Sequence, residues 1–270
     1  MGIERLIFSR FMTSSAEGGE KERGSPKFYN FILISLRIKR TKTGKMEESI
    51  HIDLFYAEKT EQLKRLVCDI GKRMWERGYV DGNGGNISVR LSKECVLCTP
   101  TYMSKGRMQP SDLCMVDLGG KQLAGDRRIT SEIKTHLAIL RKNANAGGCV
   151  HAHPPYTTSY AVCGQLPPLG AMAEAEIFLG DIGLVPYATP GSPLIVQYVE
   201  ELSVGRTALL MQGHGAITWA ASVEEAYWKM ENLETYCEIM HLVACRKDTL
   251  VPFTLEQRRE LSALRKKFES

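Results

Sequence analysis

The sequence contains no run approaching the roughly 18–20 consecutive apolar residues of a membrane span, so no membrane partner is expected. It has little net charge, +4 over 270 residues, and that surplus is confined to one end. Residues 1–46 carry ten Lys or Arg against four Glu, which leaves the remainder mildly acidic at −2. No basic face is left to argue for a nucleic acid. A disulfide framework is also missing, because the eight cysteines are scattered through apolar segments, as free thiols of a reducing, cytoplasmic compartment would be. Cys95-Val-Leu-Cys98 has the spacing of half a zinc site, but no second such pair completes four thiolates. There is no internal repeat. What is present is 43% apolar content over a length ample for one well-buried domain.

Histidine is scarce, six in all, and two of the six lie in Cys149-Val-His-Ala-His-Pro-Pro155. In an extended strand, residues i and i+2 project from the same face, so His151 and His153 can address one atom. Imidazole nitrogen suits a borderline cation such as zinc, which then needs at least one more protein ligand. Thr207-Ala-Leu-Leu-Met211 reads as a strand running into Gln212-Gly-His-Gly215, and glycine on both sides of His214 suits a close-packed ligand site. A lone histidine of this kind is also commonly structural. Three imidazoles with an open fourth position would be the layout of a catalytic zinc.

Around these residues the chain reads as alternating helices and strands. Leu63, Leu66, Val67, Ile70 and Met74 form a helical stripe between Ala57 and Gly78. Strands are expected over 87–91, 95–99 and 113–118, and helices over 156–162, 195–202 and 222–246. Thr130-Ser-Glu132 opens a helix that runs to about Lys142, so Glu132 either serves the helix start or provides a base. Asp81-Gly-Asn-Gly-Gly-Asn86 allows backbone to approach an anion closely, although such clusters are also ordinary turns. Lys105-Gly-Arg107 offers cationic contacts, with solvation at the surface the plainer reading. These elements predict a three-layer α/β/α arrangement about a mixed sheet. Residues 1–50 read as a poorly ordered basic leader, or as a start set too early with Met46 the true one. Residues 51–250 form the main domain and 251–270 a helical tail.

Gly84-Gly-Asn-Ile-Ser88, Thr99-Pro-Thr101, Thr130-Ser-Glu132, His151-Ala-His153 and Gly213-His-Gly215 occur in the order and spacing of class II aldolases of the adducin head family. The sequence resembles that family over about residues 58–245, with zinc-dependent L-fuculose-phosphate aldolases the nearest branch. The resemblance implies a mainly antiparallel sheet, zinc on His151, His153 and His214, and Glu132 as acid/base. It further implies that Gly85, Asn86, Thr101, Thr130 and Ser131 hold a substrate phosphate. The implied reaction cleaves a ketose 1-phosphate reversibly to dihydroxyacetone phosphate and an aldehyde through a zinc-stabilised enediolate, in a homotetramer. Pentulose-phosphate 4-epimerases and methylthioribulose-phosphate dehydratases resemble the same scaffold, as does the non-catalytic adducin head. Tyr102 departs from the glycine that often follows Thr-Pro-Thr in the family. Glu174 and Glu176 fall where an aldehyde pocket would be shaped.

Overall fold

A computed structural model describes residues 44–269 of the protein, in which one compact unit begins at Glu48. The basic leader and the apolar segment 29–36 lie outside the described residues. A helix α1 (Gly44–Phe55) precedes α2 (Glu58–Glu76), the element expected from the 63–74 stripe. The strands are β1 (Asn86–Arg90), β2 (Cys95–Cys98), β3 (Cys114–Asp117), β4 (Gln122–Ala124), β5 (Gly148–Ala152), β6 (Ile182–Val185), β7 (Ala208–Met211) and β8 (Gly215–Ala220). Between and after them run α3 (Ile133–Lys142), α4 (Pro155–Val162), α5 (Pro193–Leu202), α6 (Val223–Arg246) and α7 (Leu255–Glu269).

The eight strands form one sheet in the order β4-β3-β2-β1-β5-β8-β7-β6. Each neighbouring pair is antiparallel except β6 and β7, which are parallel, so the sheet is mixed and mainly antiparallel as expected. Strand alternation sorts the core into two layers. Ile87, Val89, Val150 and Ala152 pack with α2 and α6, through Val67, Ile70, Met74, Tyr227 and Met230. Val96, Cys98, Cys149, Ile217 and Trp219 pack with α3 and α5, through Ile133, Leu137, Ile195 and Val199. Cys95 and Cys98 are buried in opposite layers, which fits two separate thiols packed as small apolar groups. All eight cysteines are free.

The strand β5 lies at the centre, with His151 opposite Asn86 of β1 on one side and Ile217 of β8 on the other. Immediately beyond it, Pro154 and Pro155 do not merely end the strand. Pro155 is the first residue of α4, where its missing N–H costs nothing. The free N–H groups of that helix start are met from α6. Buried Glu234 accepts from the backbone N–H of Tyr156 at 2.9 Å and of Thr157 at 2.8 Å, and from the Thr157 hydroxyl at 2.7 Å. Charge-assisted bonds of this kind are worth about 1.5–3 kcal/mol each. Glu234→Gln removes the charge and one acceptor, so urea denaturation at neutral pH should show a loss of about 2 kcal/mol.

A candidate metal and acid–base centre

Three strand ends and one helix start build the centre. His151 belongs to β5, and His153 follows directly, its backbone N–H held by Tyr79 O at 2.9 Å. His214 sits in the turn between β7 and β8, where its N–H bonds to Met211 O at 3.0 Å. Gly215 is needed here because a Cβ on it would lie 2.5 Å from Ala152 O and 2.6 Å from the His153 ring. The three imidazoles stand with ring centroids 4.6–5.0 Å apart, and one nitrogen from each falls within 4.8 Å of the others.

The donor set fits a divalent metal. Nδ1 of His151 donates to Ala216 O at 2.9 Å, which leaves the Nε2 lone pair facing inward. That Nε2 lies 3.1 Å from Nε2 of His153 and 3.3 Å from Glu132 Oε2. The other Glu132 oxygen is 3.6 Å from Nε2 of His214. Burial, reinforced by the neighbouring rings, pushes His151 down to about 3 despite the attraction of Glu132. Burial lowers His153 as well. Imidazoles kept neutral at pH 7 are in the form a metal takes. Three imidazoles with a carboxylate beside them are a donor set that could hold a divalent metal.

Glu132 occupies the position just before α3, yet its side chain makes no capping bond. The helix-start role considered from the sequence is therefore not the one its carboxylate takes. Burial works to raise this carboxyl, but His151, His214 and the Asn86 amide outweigh it and hold it at about 2. Asn86 Nδ2 donates to Glu132 Oε2 at 2.7 Å. The other end of that carboxamide accepts from Nε2 of His136, whose Nδ1 meets the Ser88 hydroxyl at 2.8 Å. His136 is wholly buried, and burial pushes it down to about 4 against the pull of Glu132. Sequence reasoning passed over His136; its signal was the four-residue spacing from Glu132 on one helix face.

The residues assigned to phosphate lie on connected backbone. Thr99 exchanges bonds with Ile87 through its N–H and hydroxyl, Thr130 N–H donates to Thr99 O, and Thr101 N–H donates to Arg128 O. Thr130 is buried, and its hydroxyl accepts from Glu132 N–H at 3.3 Å; Ser131 is exposed. Gly85 takes φ +67°, where a Cβ would lie 2.5 Å from Val80 and 2.8 Å from His151 O. Tyr102 adopts φ +53°, the conformation glycine favours, with its ring 80% exposed.

Lys105 is corrected by the structure. It is 1% exposed instead of solvated, and its ammonium donates to Met103 O at 2.7 Å and Asn83 O at 3.3 Å. Burial lowers it to about 8 although Asp81 and Glu132 attract it. It therefore ties the glycine-rich loop to the segment after Thr-Pro-Thr. Glu176 accepts from Gly170 N–H and from Arg258 of α7.

Residues 65–241 match the family described as Class II Aldolase and Adducin N-terminal domain. The chain is 31% identical over 188 residues to the 3-oxo-tetronate 4-phosphate decarboxylase of Haemophilus influenzae, covering 68% of this chain and 89% of that protein. It is 35% identical over 170 residues to the L-fuculose phosphate aldolase of Methanococcus vannielii, covering 63% and 91%. Among solved structures, YgbL of Escherichia coli, described as an aldolase, epimerase or decarboxylase, superposes with a TM-score of 0.69 at 28% identity, covering 75% and 98%.

Elemental analysis of the purified protein should find close to one divalent cation per chain, lost in His151→Ala. The metal-free protein should lose stability on acidification. The folded state holds His136 near 4 and His151 near 3, below the ordinary imidazole value of about 6.5, so the unfolded chain takes up protons that the folded one refuses. Stability is thus full above 6.5 and falls as the pH drops towards these values. Between pH 7 and pH 5 the loss should be about 2 kcal/mol for each imidazole, measured by denaturation after chelation.

Proposed function

The chain belongs to the class II aldolase and adducin family and is a metal-dependent lyase within it, and from that premise we propose that it breaks a carbon–carbon bond beside the carbonyl of a phosphorylated ketose or keto acid. The observation that carries the reading is the convergence of Glu132 on the three imidazoles, 3.3 Å from His151 and 3.6 Å from His214. His151, His153 and His214 would hold zinc, which when bound supplies a Lewis acid for the substrate carbonyl.

Glu132, kept ionised, enters as a base. In the condensing direction it removes a proton from the carbon beside the carbonyl, and in the cleaving direction it returns one to the same carbon. The neutral donors Gly85, Asn86, Thr101, Thr130 and Ser131 line the loops that would orient the phosphate, with α3 starting beside them. Lys105 beneath the glycine-rich loop adds positive charge without reaching the surface. The first reading is aldol cleavage of a ketose 1-phosphate to dihydroxyacetone phosphate and an aldehyde. Here the hydroxyl on the departing carbon loses a proton and the remaining carbon gains one, so the balance closes without a co-reactant.

A second reading is favoured by similarity to the 3-oxo-tetronate 4-phosphate decarboxylase. Loss of carbon dioxide from such a 3-oxo acid leaves the same enediolate of dihydroxyacetone phosphate. Its protonation again falls to Glu132, which in this case first takes up a proton from water. Decarboxylation needs no base for a departing hydroxyl, so the two readings differ in one proton-transfer group, not in the centre. The active unit on this reading spans residues 51–250, with 251–270 as a tail, in a cytoplasmic homotetramer whose mass light scattering would measure.

The shared step is directly testable. Incubated with dihydroxyacetone phosphate in deuterated water, the zinc-loaded protein should exchange one hydrogen beside the carbonyl. Glu132→Gln should keep the metal and slow exchange by about a hundredfold or more. Exchange at the wild-type rate in that variant would place the base elsewhere. Supplying L-fuculose 1-phosphate and 3-oxo-tetronate 4-phosphate in parallel then separates the readings by whether an aldehyde or carbon dioxide is released.

A further inference from the structure

The Glu132 carboxylate does not choose its own direction. Its Oε2 is held by one donor at 2.7 Å, the Nδ2 group of Asn86. A carboxamide has two ends of nearly equal size and shape, so packing alone cannot decide which end faces the carboxylate. Turned round, Asn86 would present a carbonyl oxygen to an ionised oxygen at hydrogen-bonding distance, which is repulsive. The partner behind Asn86 makes the choice. With Nε2 protonated, His136 donates to Asn86 Oδ1 and so turns Nδ2 towards Glu132. That tautomer leaves Nδ1 as an acceptor, and the Ser88 hydroxyl is 2.8 Å away to donate to it.

All three members are shut away from water: Ser88 is 1% exposed, Asn86 4% and His136 0%. If Asn86 swung out, His136 Nε2 would lose its partner with no solvent to replace it. The relay also joins the two elements that must agree for the centre to work. Ser88 and Asn86 sit on β1, beside the strand of His151, while His136 lies in the first turn of α3, the helix that Glu132 immediately precedes.

We propose that His136 is a positioning residue for the acid–base group, acting through Asn86 with Ser88 behind it, so that Glu132 is aimed and supported by a buried Ser88–His136–Asn86 relay. The proposal rests on Glu132 being the group that moves the proton. On this reading His136 touches neither substrate nor a metal-ligating imidazole, and it meets Glu132 directly only through its backbone N–H, which donates to Glu132 O at 3.4 Å. Its effect falls on turnover, because the metal is held by other residues and, of the five proposed phosphate residues, only Asn86 bonds to its ring.

The test uses the zinc-loaded protein and hydrogen exchange on dihydroxyacetone phosphate. His136→Leu fills the space without a donor and should keep one metal per chain and a KM within about threefold of wild type. Its kcat should fall by about tenfold to a hundredfold. His136→Gln, whose amide can still donate to Asn86 Oδ1, should recover most of that loss. A residue that merely pins the helix to the sheet would depress turnover whatever stands at 132. In the Glu132→Gln background, the positioning role therefore requires His136→Leu to cost almost nothing more.

Wild-type kcat in His136→Leu overturns the proposal, as does an undiminished further loss in the double variant. Where His136→Leu does not fold, Ser88→Ala takes its place, with a few-fold loss of kcat expected and an unchanged kcat overturning the relay. Full turnover in Glu132→Gln, or no exchange in the wild type, defeats the functional reading and the relay together. An inactive Glu132→Gln beside a fully active His136→Leu defeats the relay alone.

Discussion

The backbone ladder of β5 between β1 and β8 is the constraint on which the centre depends. Its register sets His151 opposite Asn86 on one side and Ile217 on the other. The same pairing brings Ala216 O to His151 Nδ1 and so fixes which nitrogen faces inward. Alternation then places Asn86, Ser88 and His151 on the face covered by α3, where Glu132 and His136 wait. No single contact assembles the site; one strand with two neighbours in register does.

Burial gives the centre its electrostatic character. Removing imidazoles from water disfavours their charged forms, so burial holds His136 and His151 neutral against the attraction of Glu132. Glu132 escapes the same penalty because a buried amide donates to it and the imidazoles favour its charge. The outcome is one ionised carboxylate beside the neutral rings of His151 and His153, an arrangement in which a divalent cation would meet both charge and lone pairs. Lys105 shows the same desolvation from the other sign, lowered to about 8 but kept in place by two carbonyls.

Much of this was legible in the residues. The spacing of His151 and His153 placed both on one strand face, and glycine around His214 marked a close approach that Gly215 bears out. The helical stripe of α2, the start of α3 and the long α6 were read within a few residues of their observed ends. The strand β8 was not read, because Gly-Ala-Ile-Thr-Trp-Ala is buried on both faces and shows no alternation. The short edge strand β4 was missed for want of a pattern in three residues. Lys105 reads as a surface charge in the sequence because composition does not reveal that two loop carbonyls accept from its ammonium. The roles of His136 and Ser88 were hidden for a related reason: a relay depends on which strand faces which helix. The resemblance suggested aldolase, epimerase and dehydratase chemistries, whereas a decarboxylase emerged only from comparison with relatives.

The alternation along β5 carries a consequence for how the chain reaches this state. A slip of β5 by one residue against β1 and β8 would turn Cys149 and His151 into the layer of α2 and α6 and bring Val150 and Ala152 to face Glu132. Such a misregistered sheet would still bury much apolar surface, but it would present methyl groups where the His151 imidazole belongs. The imidazoles of His151, His153 and His214 come together across these paired strands. A metal bound there would therefore favour the native register over the slipped one.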